Sequence, residues 1–396
     1  MRIYFTRQLL ILLLSTGGVL CLVVPAVTAG PNYGAPLVLP GATTAADPSA
    51  IRVDDIYYVY ATTDTKTVQG WSSADLMDWQ PTGAVWGPPP PGAWNDDLIM
   101  APQVLPYEER FYLYYGVGHY VGVAVADTPT GPFVDVYEHP FFGGIYTGDP
   151  AVFQDEDGSL FMYCTCLAPF SSIRVLPMSD PVTLTGECRL LLVPGLLNWE
   201  GFLVEGPWMI KRAGTYYLMY SGFLATLPWY AIGYATAADP RGPFTKYDGN
   251  PILQVDWAYD FWGPGHNSSV TSPDGRILMF YHTKTEPASG WDREIRINEL
   301  AFTTDKELYV VLGDDDDSTD DDAVNDDITD DDAIDDDDTA DDDAINDDTI
   351  DDDVTDDDAT NDDAIDDDAT NDDAIDEDAA DDDAADNDDD DSRCGC

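Results

Sequence analysis

Asp149-Pro-Ala-Val-Phe-Gln-Asp-Glu-Asp-Gly-Ser-Leu-Phe-Met-Tyr163 joins an extended apolar segment, a polar turn and a strand that ends in Tyr. The same order of segments occurs four more times, at residues 47–60, 101–115, 206–220 and 263–281. A Pro stands near the start of every unit, at 48, 102, 150, 207 and 264, so the units recur after 54, 48, 57 and 57 residues. Alternating apolar residues with many Tyr, Val and Ile are typical of β-strands. The chain therefore contains five similar antiparallel strand units.

A third strand and a Gly-Pro-Phe turn follow several of these units, as at Gly131-Pro-Phe133 and Gly242-Pro-Phe244. Repeats of this length, each forming a small antiparallel sheet, are the pattern of a β-propeller. A β-sandwich does not require so long and regular a period. The sequence thus predicts an all-β fold, a five-bladed β-propeller over residues 30–312.

The N-terminus has the pattern of an export signal. Two Arg residues precede an apolar run from Leu9 to Val24, and Val27-Thr-Ala29 offers small residues to a signal peptidase. We expect residues 1–29 to be cleaved, which gives a secreted or cell-surface protein with no transmembrane span in the mature chain. The alternative, an uncleaved anchor, is disfavoured because the run is short and Gly17-Gly18 interrupts it.

Most of the negative charge lies near the C-terminus. The formal net charge is −60, but 45 of the 77 Asp and Glu residues fall between Asp314 and Asp391, in a loose five-residue repeat. Each repeat has too little apolar surface to offset the entropy of ordering it. Residues 313–396 are therefore expected to form a disordered, acidic, low-complexity tail. The more specific alternative is a tail that attracts Ca²⁺ weakly. A charge of this sign disfavours nucleic acid as a partner.

Three cysteines lie within the predicted propeller. Cys164 and Cys166 share one face if their segment is a strand, and Cys188 follows them. In an oxidising compartment one of the pair could bridge to Cys188. Their spacing is not that of a zinc knuckle and no His lies near them, so we interpret them as structural.

Three of the five units carry a carboxylate at their start: Asp47 before Pro48, Asp149 before Pro150, and Glu205 in Val204-Glu-Gly-Pro207. A residue before Pro is restricted to extended conformations, which fixes the direction of its side chain. One such carboxylate is usually an ordinary turn residue. Three at equivalent positions converge on the propeller channel. This arrangement suits glycoside hydrolysis, in which one acid protonates the leaving oxygen and one carboxylate activates water.

At these residues, and in the motifs of all five units, the sequence resembles glycoside hydrolase family 43, a family of five-bladed propeller arabinofuranosidases, arabinanases and β-xylosidases. The resemblance covers nearly all of residues 40–310. It implies an inverting mechanism with Asp47 as general base, Glu205 as general acid, and Asp149 as the residue that modulates the pKa of the acid. Base and acid are then expected about 6.5–9.5 Å apart, with room for a water.

Basic residues extend this resemblance. Arg293 matches an arginine that contacts substrate in some members, although Arg293 or Arg296 could instead pair with carboxylates that close the blades. His266 matches a histidine that, in many relatives, helps to hold a Ca²⁺ or a water cluster. A lone His more often satisfies local hydrogen bonds, so a structural Ca²⁺ stays open and no cofactor is expected to be required. His282 is expected to be structural.

Four tryptophans are candidates for stacking on sugar faces, with packing between blades as the alternative: Trp71, Trp94, Trp229 and Trp262. The second unit departs from the family at Met100-Ala-Pro-Gln103, where many members have an aromatic residue, Ala-Pro and a carboxylate. This departure leaves the identity of the sugar open.

The sequence therefore predicts a secreted, monomeric O-glycosyl hydrolase that cleaves α-L-arabinofuranosyl or β-xylosyl linkages of plant-type polysaccharides or oligosaccharides with inversion. A retaining fructosidase-type propeller would show Arg-Asp-Pro where this chain has Gly148-Asp149-Pro150. The other alternative is a non-catalytic carbohydrate-binding or adhesive propeller. Such a module has no reason to hold three mutually repelling acids on one axis.

Overall fold

The computed structural model describes residues 30–144 and 147–313, so the predicted signal segment and nearly all of the predicted tail lie outside the described residues. Within this part of the chain there are 22 β-strands and no helix. The same residues accordingly include no helix long and apolar enough to cross a membrane.

The strands form five sheets, one for each repeat unit. Blade I contains β1 (Ala46–Val53), β2 (Ile56–Thr62), β3 (Val68–Ser73) and β4 (Gln80–Trp86). Blade II contains β5 (Ile99–Tyr107), β6 (Arg110–Val117), β7 (Tyr120–Ala126), β8 (Val134–Asp135) and β9 (Phe142–Gly143). Blade III contains β10 (Thr147–Gln154), β11 (Leu160–Cys166), β12 (Ser172–Asp180), β13 (Thr183–Leu184) and β14 (Arg189–Leu192). Blade IV contains β15 (Val204–Arg212), β16 (Thr215–Gly222), β17 (Ala231–Ala237) and β18 (Thr245–Lys246). Blade V contains β19 (Gly265–Thr271), β20 (Ile277–Lys284), β21 (Arg293–Phe302) and β22 (Leu308–Val310).

The first strands of the five blades close a ring. β1 packs against β5, β5 against β10, β10 against β15, β15 against β19, and β19 against β1. Each sheet is antiparallel, and its strands follow one another outward in chain order, except that β9 pairs with β7 and β14 with β12. This is the predicted five-bladed β-propeller, and that prediction is confirmed. The ring of first strands surrounds the central channel.

Buried side chains form five clusters, one between each pair of neighbouring blades. Successive side chains of a strand point to opposite faces, so a middle strand feeds two clusters. Tyr114 joins the cluster between blades II and III, and Tyr115 joins the cluster between blades I and II. Cys164 and Cys166 are buried in the cluster between blades II and III, and Cys188 packs against it. All three cysteines therefore contribute to packing between blades.

The Tyr-rich middle strands of blades I, II and III have a second role, because a Tyr hydroxyl of each donates to a backbone carbonyl of the next blade. The Tyr60 hydroxyl donates to the Pro129 carbonyl of blade II at 2.6 Å. In the same way, the Tyr114 hydroxyl donates to the Pro181 carbonyl of blade III and the Tyr163 hydroxyl to the Pro240 carbonyl of blade IV. Buried Tyr usually finds such a partner for its hydroxyl. In these three contacts a Tyr of the repeated strand is the donor and a Pro carbonyl of a turn in the next blade is the acceptor.

Every first strand is interrupted near its start by a β-bulge, in which it has one residue more than the strand it pairs with. The first bulged residue has a φ between 47° and 59° in all five blades: Asp47, Ala101, Asp149, Gly206 and His266. Bulges of this kind bend the strand and re-aim a side chain. The fold therefore provides five equivalent positions on the channel.

The bulges correct two expectations from the sequence. Asp47 and Asp149 precede Pro, but their positive φ values are left-handed rather than extended, because the bulge overrides the usual preference before Pro. In blade V, the residue that follows the bulged position is Asn267 rather than Pro264, so Pro264 is not the equivalent of Pro48.

Candidate active site

The bulges bring four titratable side chains to the channel from four different blades: Asp47, Asp149, Glu205 and His266. Glu205 is one position out of step with the two Asp residues, because Gly206 occupies the bulged position of blade IV. The sequence pattern predicts that the three carboxylates occupy equivalent positions. The structure shows that Asp47 and Asp149 do, and that Glu205 does not. The backbone N–H of Gly206 donates to Asp149 Oδ2 at 3.2 Å, which connects the strand that carries Glu205 to Asp149.

Asp47 is 7% exposed and is surrounded by basic groups. Its Oδ1 lies 3.1 Å from Arg293 Nη1, 3.1 Å from His282 Nδ1 and 3.4 Å from His266 Nδ1. Burial alone would raise the pKa of Asp47, but the positive charge of the Arg293 guanidinium holds that pKa well below its usual value. Asp47 is therefore a carboxylate at neutral pH.

Glu205 has the opposite character. Burial, reinforced by the negative charge of Asp149, raises the pKa of Glu205 to about 8. The Tyr230 hydroxyl donates to Glu205 Oε1 at 2.7 Å, which favours the ionised form but does not cancel the other effects. At neutral pH, Glu205 is therefore mostly a protonated carboxylic acid.

Asp149 is fixed by two donors on the same oxygen. Thr165 donates its hydroxyl to Asp149 Oδ2 at 2.8 Å, and the Gly206 backbone is the second donor. These hydrogen bonds hold the carboxylate beside blade IV, where its charge acts on Glu205.

Arg293 and His266 both contact Asp47 in this structure. The Arg293 side chain is buried and also lies over the Trp291 ring, 5.3 Å from its centroid. Arg293 therefore pairs with the carboxylate of Asp47, and its contact with substrate stays a prediction. Arg296 pairs with Glu294 instead. Within residues 30–144 and 147–313, no group of three or more His, Cys, Asp and Glu side chains is placed to hold a metal ion.

The four tryptophans differ in their surroundings. Trp71 is 2% exposed, packs in the cluster between blades I and V, and donates its Nε1–H to the Pro40 carbonyl. Its ring is therefore not available to a sugar, which corrects the stacking prediction at this position. Trp94 is partly buried and stacks on Tyr115, and Trp262 is also partly buried. Trp229 is 53% exposed.

Sequence reasoning missed two functional neighbours, Tyr230 and His282. Tyr230 lies in the loop after β16, outside the repeated motif, and nothing local connects it to Glu205. His282, expected to be structural, contacts Asp47 through its side chain. A signal for His282 did exist, because it occupies the repeat position held by Thr62, Gly116, Thr165 and Ser221 in the other blades.

An ionised carboxylate and a protonated carboxylic acid on the channel of a five-bladed propeller are the combination that hydrolysis of glycosidic bonds by acid and base catalysis requires. Comparison with known proteins agrees: the protein is an O-glycosyl hydrolase. The family model of glycosyl hydrolases family 43 matches residues 38–307, and the chain belongs to this family.

Relatives of known activity are similar over most of the propeller. A β-D-galactofuranosidase, xynD, of Aspergillus niger is 31% identical over 292 residues, which cover 67% of this chain and 82% of the relative. An extracellular endo-α-(1→5)-L-arabinanase of Thermotoga petrophila is 28% identical and covers 65% of this chain and 68% of its own. Among solved structures, a thermostable family-43 glycoside hydrolase has a TM-score of 0.63 at 34% identity, over 70% of this chain and 96% of its own.

Proposed function

We propose that this enzyme hydrolyses α-L-arabinofuranosyl or β-xylosyl linkages with inversion, with Asp47 as general base, Glu205 as general acid and Asp149 as the group that modulates the pKa of Glu205. The observation that carries the proposal is the opposite protonation state of two carboxyl groups on one channel. The pKa of Asp47 is held well below its usual value and that of Glu205 is raised to about 8. When the surroundings separate the pKa values of two carboxyl groups in this way, the ionised group can act as the base and the protonated group as the acid.

The reaction needs each group in the protonation state that its surroundings favour. A water beside the anomeric carbon gives a proton to Asp47 while the water oxygen attacks that carbon. The bond from the anomeric carbon to the leaving oxygen breaks, and Glu205 gives its proton to that oxygen. Exchange with solvent then returns Asp47 to the ionised form and Glu205 to the protonated form.

The leaving group lies on the side of the acid, where three aromatic side chains of blade IV and the segment before it form a contiguous ridge. This aromatic ridge consists of Phe202, Phe223 and Trp229, whose neighbouring rings are 6.2 Å and 6.4 Å apart. Trp229 directly precedes Tyr230, the hydrogen-bond partner of Glu205. Flat apolar sugar faces and aromatic rings pack well together. The ridge therefore supports a carbohydrate chain, rather than a small alcohol, as leaving group.

Relatives indicate which sugar lies on the other side of the bond. The arabinanase of Thermotoga petrophila and a xylosidase/arabinosidase of Bacteroides ovatus, 26% identical to this chain, carry names that specify pentose linkages. The Aspergillus niger relative is named for galactofuranose, another furanose sugar. D-Galactofuranosides are for this reason the second candidate substrates.

Export is part of the proposal. It rests on the signal-like residues 1–29 and on the extracellular designation of the Thermotoga relative. N-terminal sequencing of the protein recovered outside the cell is expected to start near Gly30. An intact Met1 in that fraction would contradict cleavage.

The test is an assay of the purified protein on nitrophenyl α-L-arabinofuranoside, nitrophenyl β-xyloside, nitrophenyl β-D-galactofuranoside and linear arabinan. Proton NMR of the first product formed reads the anomeric configuration. We expect hydrolysis of a pentoside and a product of inverted configuration. A product of retained configuration would overturn the mechanism, and binding of arabinan or xylan without hydrolysis of any substrate would favour an adhesive propeller.

A further inference from the structure

Two fully buried rings connect the proposed acid to the proposed base. The Tyr230 hydroxyl donates to Glu205 Oε1 at 2.7 Å. Tyr230 stacks on His282, with ring centroids 5.6 Å apart and an angle of 8° between the planes. His282 Nδ1 in turn lies 3.1 Å from Asp47 Oδ1 and accepts the Asp47 backbone N–H at 3.2 Å. Both rings are 0% exposed. A continuous chain of contacts through buried rings therefore connects one carboxyl group to the other.

The repeat shows that hydrogen bonding to the backbone does not by itself require an imidazole at position 282. At the equivalent position of blades I, III and IV, a hydroxyl accepts the N–H of the bulged residue in the next blade. The pairs are Thr62 with Ala101, Thr165 with Gly206, and Ser221 with His266. A Thr or Ser would therefore satisfy the Asp47 N–H. Only a ring at this position also contacts the Asp47 carboxylate and offers a flat face to Tyr230.

The first strand of blade V leaves room for the stacked pair. A Cβ on Gly265 would lie 1.8 Å from a ring carbon of Tyr230, far inside van der Waals contact. Gly265 pairs with His282 across the sheet. The absence of a side chain at Gly265 thus lets the Tyr230 ring lie against β19, next to the strand that carries His282.

Both rings are uncharged under the conditions in which the enzyme would work. Burial, then the positive charge of Arg293, lowers the pKa of His282 to about 3. Burial and the nearby Glu205 raise the pKa of Tyr230 well above its usual value. Neither group takes up or releases a proton near neutral pH, so their contribution is positional.

We propose that Tyr230 and His282 are positioning residues that act together as a rigid spacer and set the distance between Glu205 and Asp47. The inference rests on the proposed acid and base roles. An inverting enzyme needs about 6.5–9.5 Å between the two carboxyl groups to admit one water, and an error of about 1 Å in such geometry costs on the order of 10²-fold in rate. The spacer explains why two residues that are neither the proposed acid nor the proposed base are buried between these two groups.

Four single variants separate the parts of the spacer. Tyr230→Phe keeps the stack and removes the hydroxyl, and His282→Phe keeps the stack and removes the ring nitrogens. Tyr230→Leu and His282→Leu remove the rings. We expect each Leu variant to lower kcat by about 10²-fold with little change in KM, and each conservative variant to recover most of that loss. The double Leu variant should lose about as much as the worse single variant, because one broken spacer cannot be broken twice.

Tyr247→Leu is the matched control, because Tyr247 is also a stacked Tyr, on Tyr234 in the outer part of blade IV at 4.8 Å. It is expected to lower the thermal midpoint while leaving kcat unchanged. Losses in the two single Leu variants that multiply in the double variant would overturn the spacer, as would a rise in KM with kcat retained. Either result would mean that the two rings do not act together to set the distance between the two carboxyl groups.

Crystal structures keep this test separate from the proposed function. The distance between the Glu205 and Asp47 carboxyl groups is measurable in the wild type and in the His282→Leu and His282→Phe variants whether or not a substrate is known. We expect a change of about 1 Å or more in His282→Leu and wild-type spacing in His282→Phe. Unchanged spacing in His282→Leu overturns the spacer, whereas a correct spacing shift without any glycosidase activity overturns only the proposed function.

Discussion

Blades I and II have the same bulge in the same register, but only blade I carries a titratable side chain there. Asp47 and Ala101 have φ values of 49° and 47°. Each of these residues donates its backbone N–H to a side chain of the preceding blade, His282 for Asp47 and Thr62 for Ala101. Both lie in the innermost strand, and both are buried. The two blades thus have nearly the same backbone conformation at this position, but only blade I places an ionisable group there.

This comparison shows that the left-handed bulge belongs to the fold rather than to the active site. A non-glycine residue in this conformation costs on the order of 1–2 kcal/mol, and the cost recurs in blade II, where the bulged residue has no chemical role. The bulge therefore points the side chain toward the channel, and the type of side chain determines which chemical group the channel contains. Substitution at the bulge of blade I should consequently lower activity, whereas substitution at the bulge of blade II should not.

The largest expected effect is on activity, at the proposed acid and base. Asp47→Asn and Glu205→Gln should each lower kcat by about 10²–10⁴-fold, because each removes a proton-transfer group and keeps its shape. Initial rates on the best nitrophenyl glycoside measure this, and circular dichroism should show an unchanged fold. Wild-type kcat in either variant would contradict its assigned role.

Asp149→Asn should have a smaller effect that depends on pH. Because Glu205 must be protonated to act, wild-type kcat/KM should fall as the pH rises through about 8. The charge of Asp149 raises the pKa of Glu205, so its removal should move this basic limb to lower pH and reduce the rate at neutral pH by about tenfold. A pH profile between pH 4 and 10 tests the direction. A basic limb that stays in place would mean that Asp149 acts through hydrogen bonds alone.

The repeat made most of the fold and part of the site predictable. Asp47 and Asp149 could be found because they recur at one position of a regular unit. Glu205 was found with them, but its offset by one residue depends on Gly206 in the bulge, which no local preference indicates.

Contacts between residues that are far apart in the chain could not be predicted from the sequence. Tyr230 and Glu205 are 25 residues apart in blade IV, and folding of that blade brings them together. His282 and Asp47 are 235 residues apart, in blades V and I, and only closure of the ring brings them together. The burial of Trp71 was equally invisible, since the pattern around it does not distinguish a ring in a blade interface from one at the channel mouth.

Trp229→Ala should affect how the enzyme grips a chain and leave the bulge chemistry intact. We expect kcat/KM on a polysaccharide to fall about tenfold, from loss of stacking on the leaving-group side, with kcat on a nitrophenyl pentoside within about threefold of wild type. Tyr309→Ala, an exposed aromatic residue on the outermost strand of blade V, is the control and should change neither. Equal losses on polymer and small substrate would place Trp229 outside a leaving-group subsite.

The smallest expected effect is that of Ala101→Gly in blade II. Relief of the left-handed strain favours glycine by about 1–2 kcal/mol, while greater freedom of the unfolded chain and loss of a buried methyl group oppose it by about 0.5–1 and 0.8 kcal/mol. These terms nearly cancel, so the free energy of unfolding should change by less than about 1 kcal/mol and kcat should not change.

Gly206→Ala in blade IV makes the reverse substitution at the equivalent position. It should destabilise the fold, because φ there is 59° and the added Cβ would approach the His266 ring at 3.1 Å. Thermal midpoints and kcat of both variants complete the comparison of bulges. A tenfold loss of kcat in Ala101→Gly at unchanged stability would show that the bulge of blade II itself takes part in catalysis, and the division between fold and chemistry drawn from blades I and II would then be wrong.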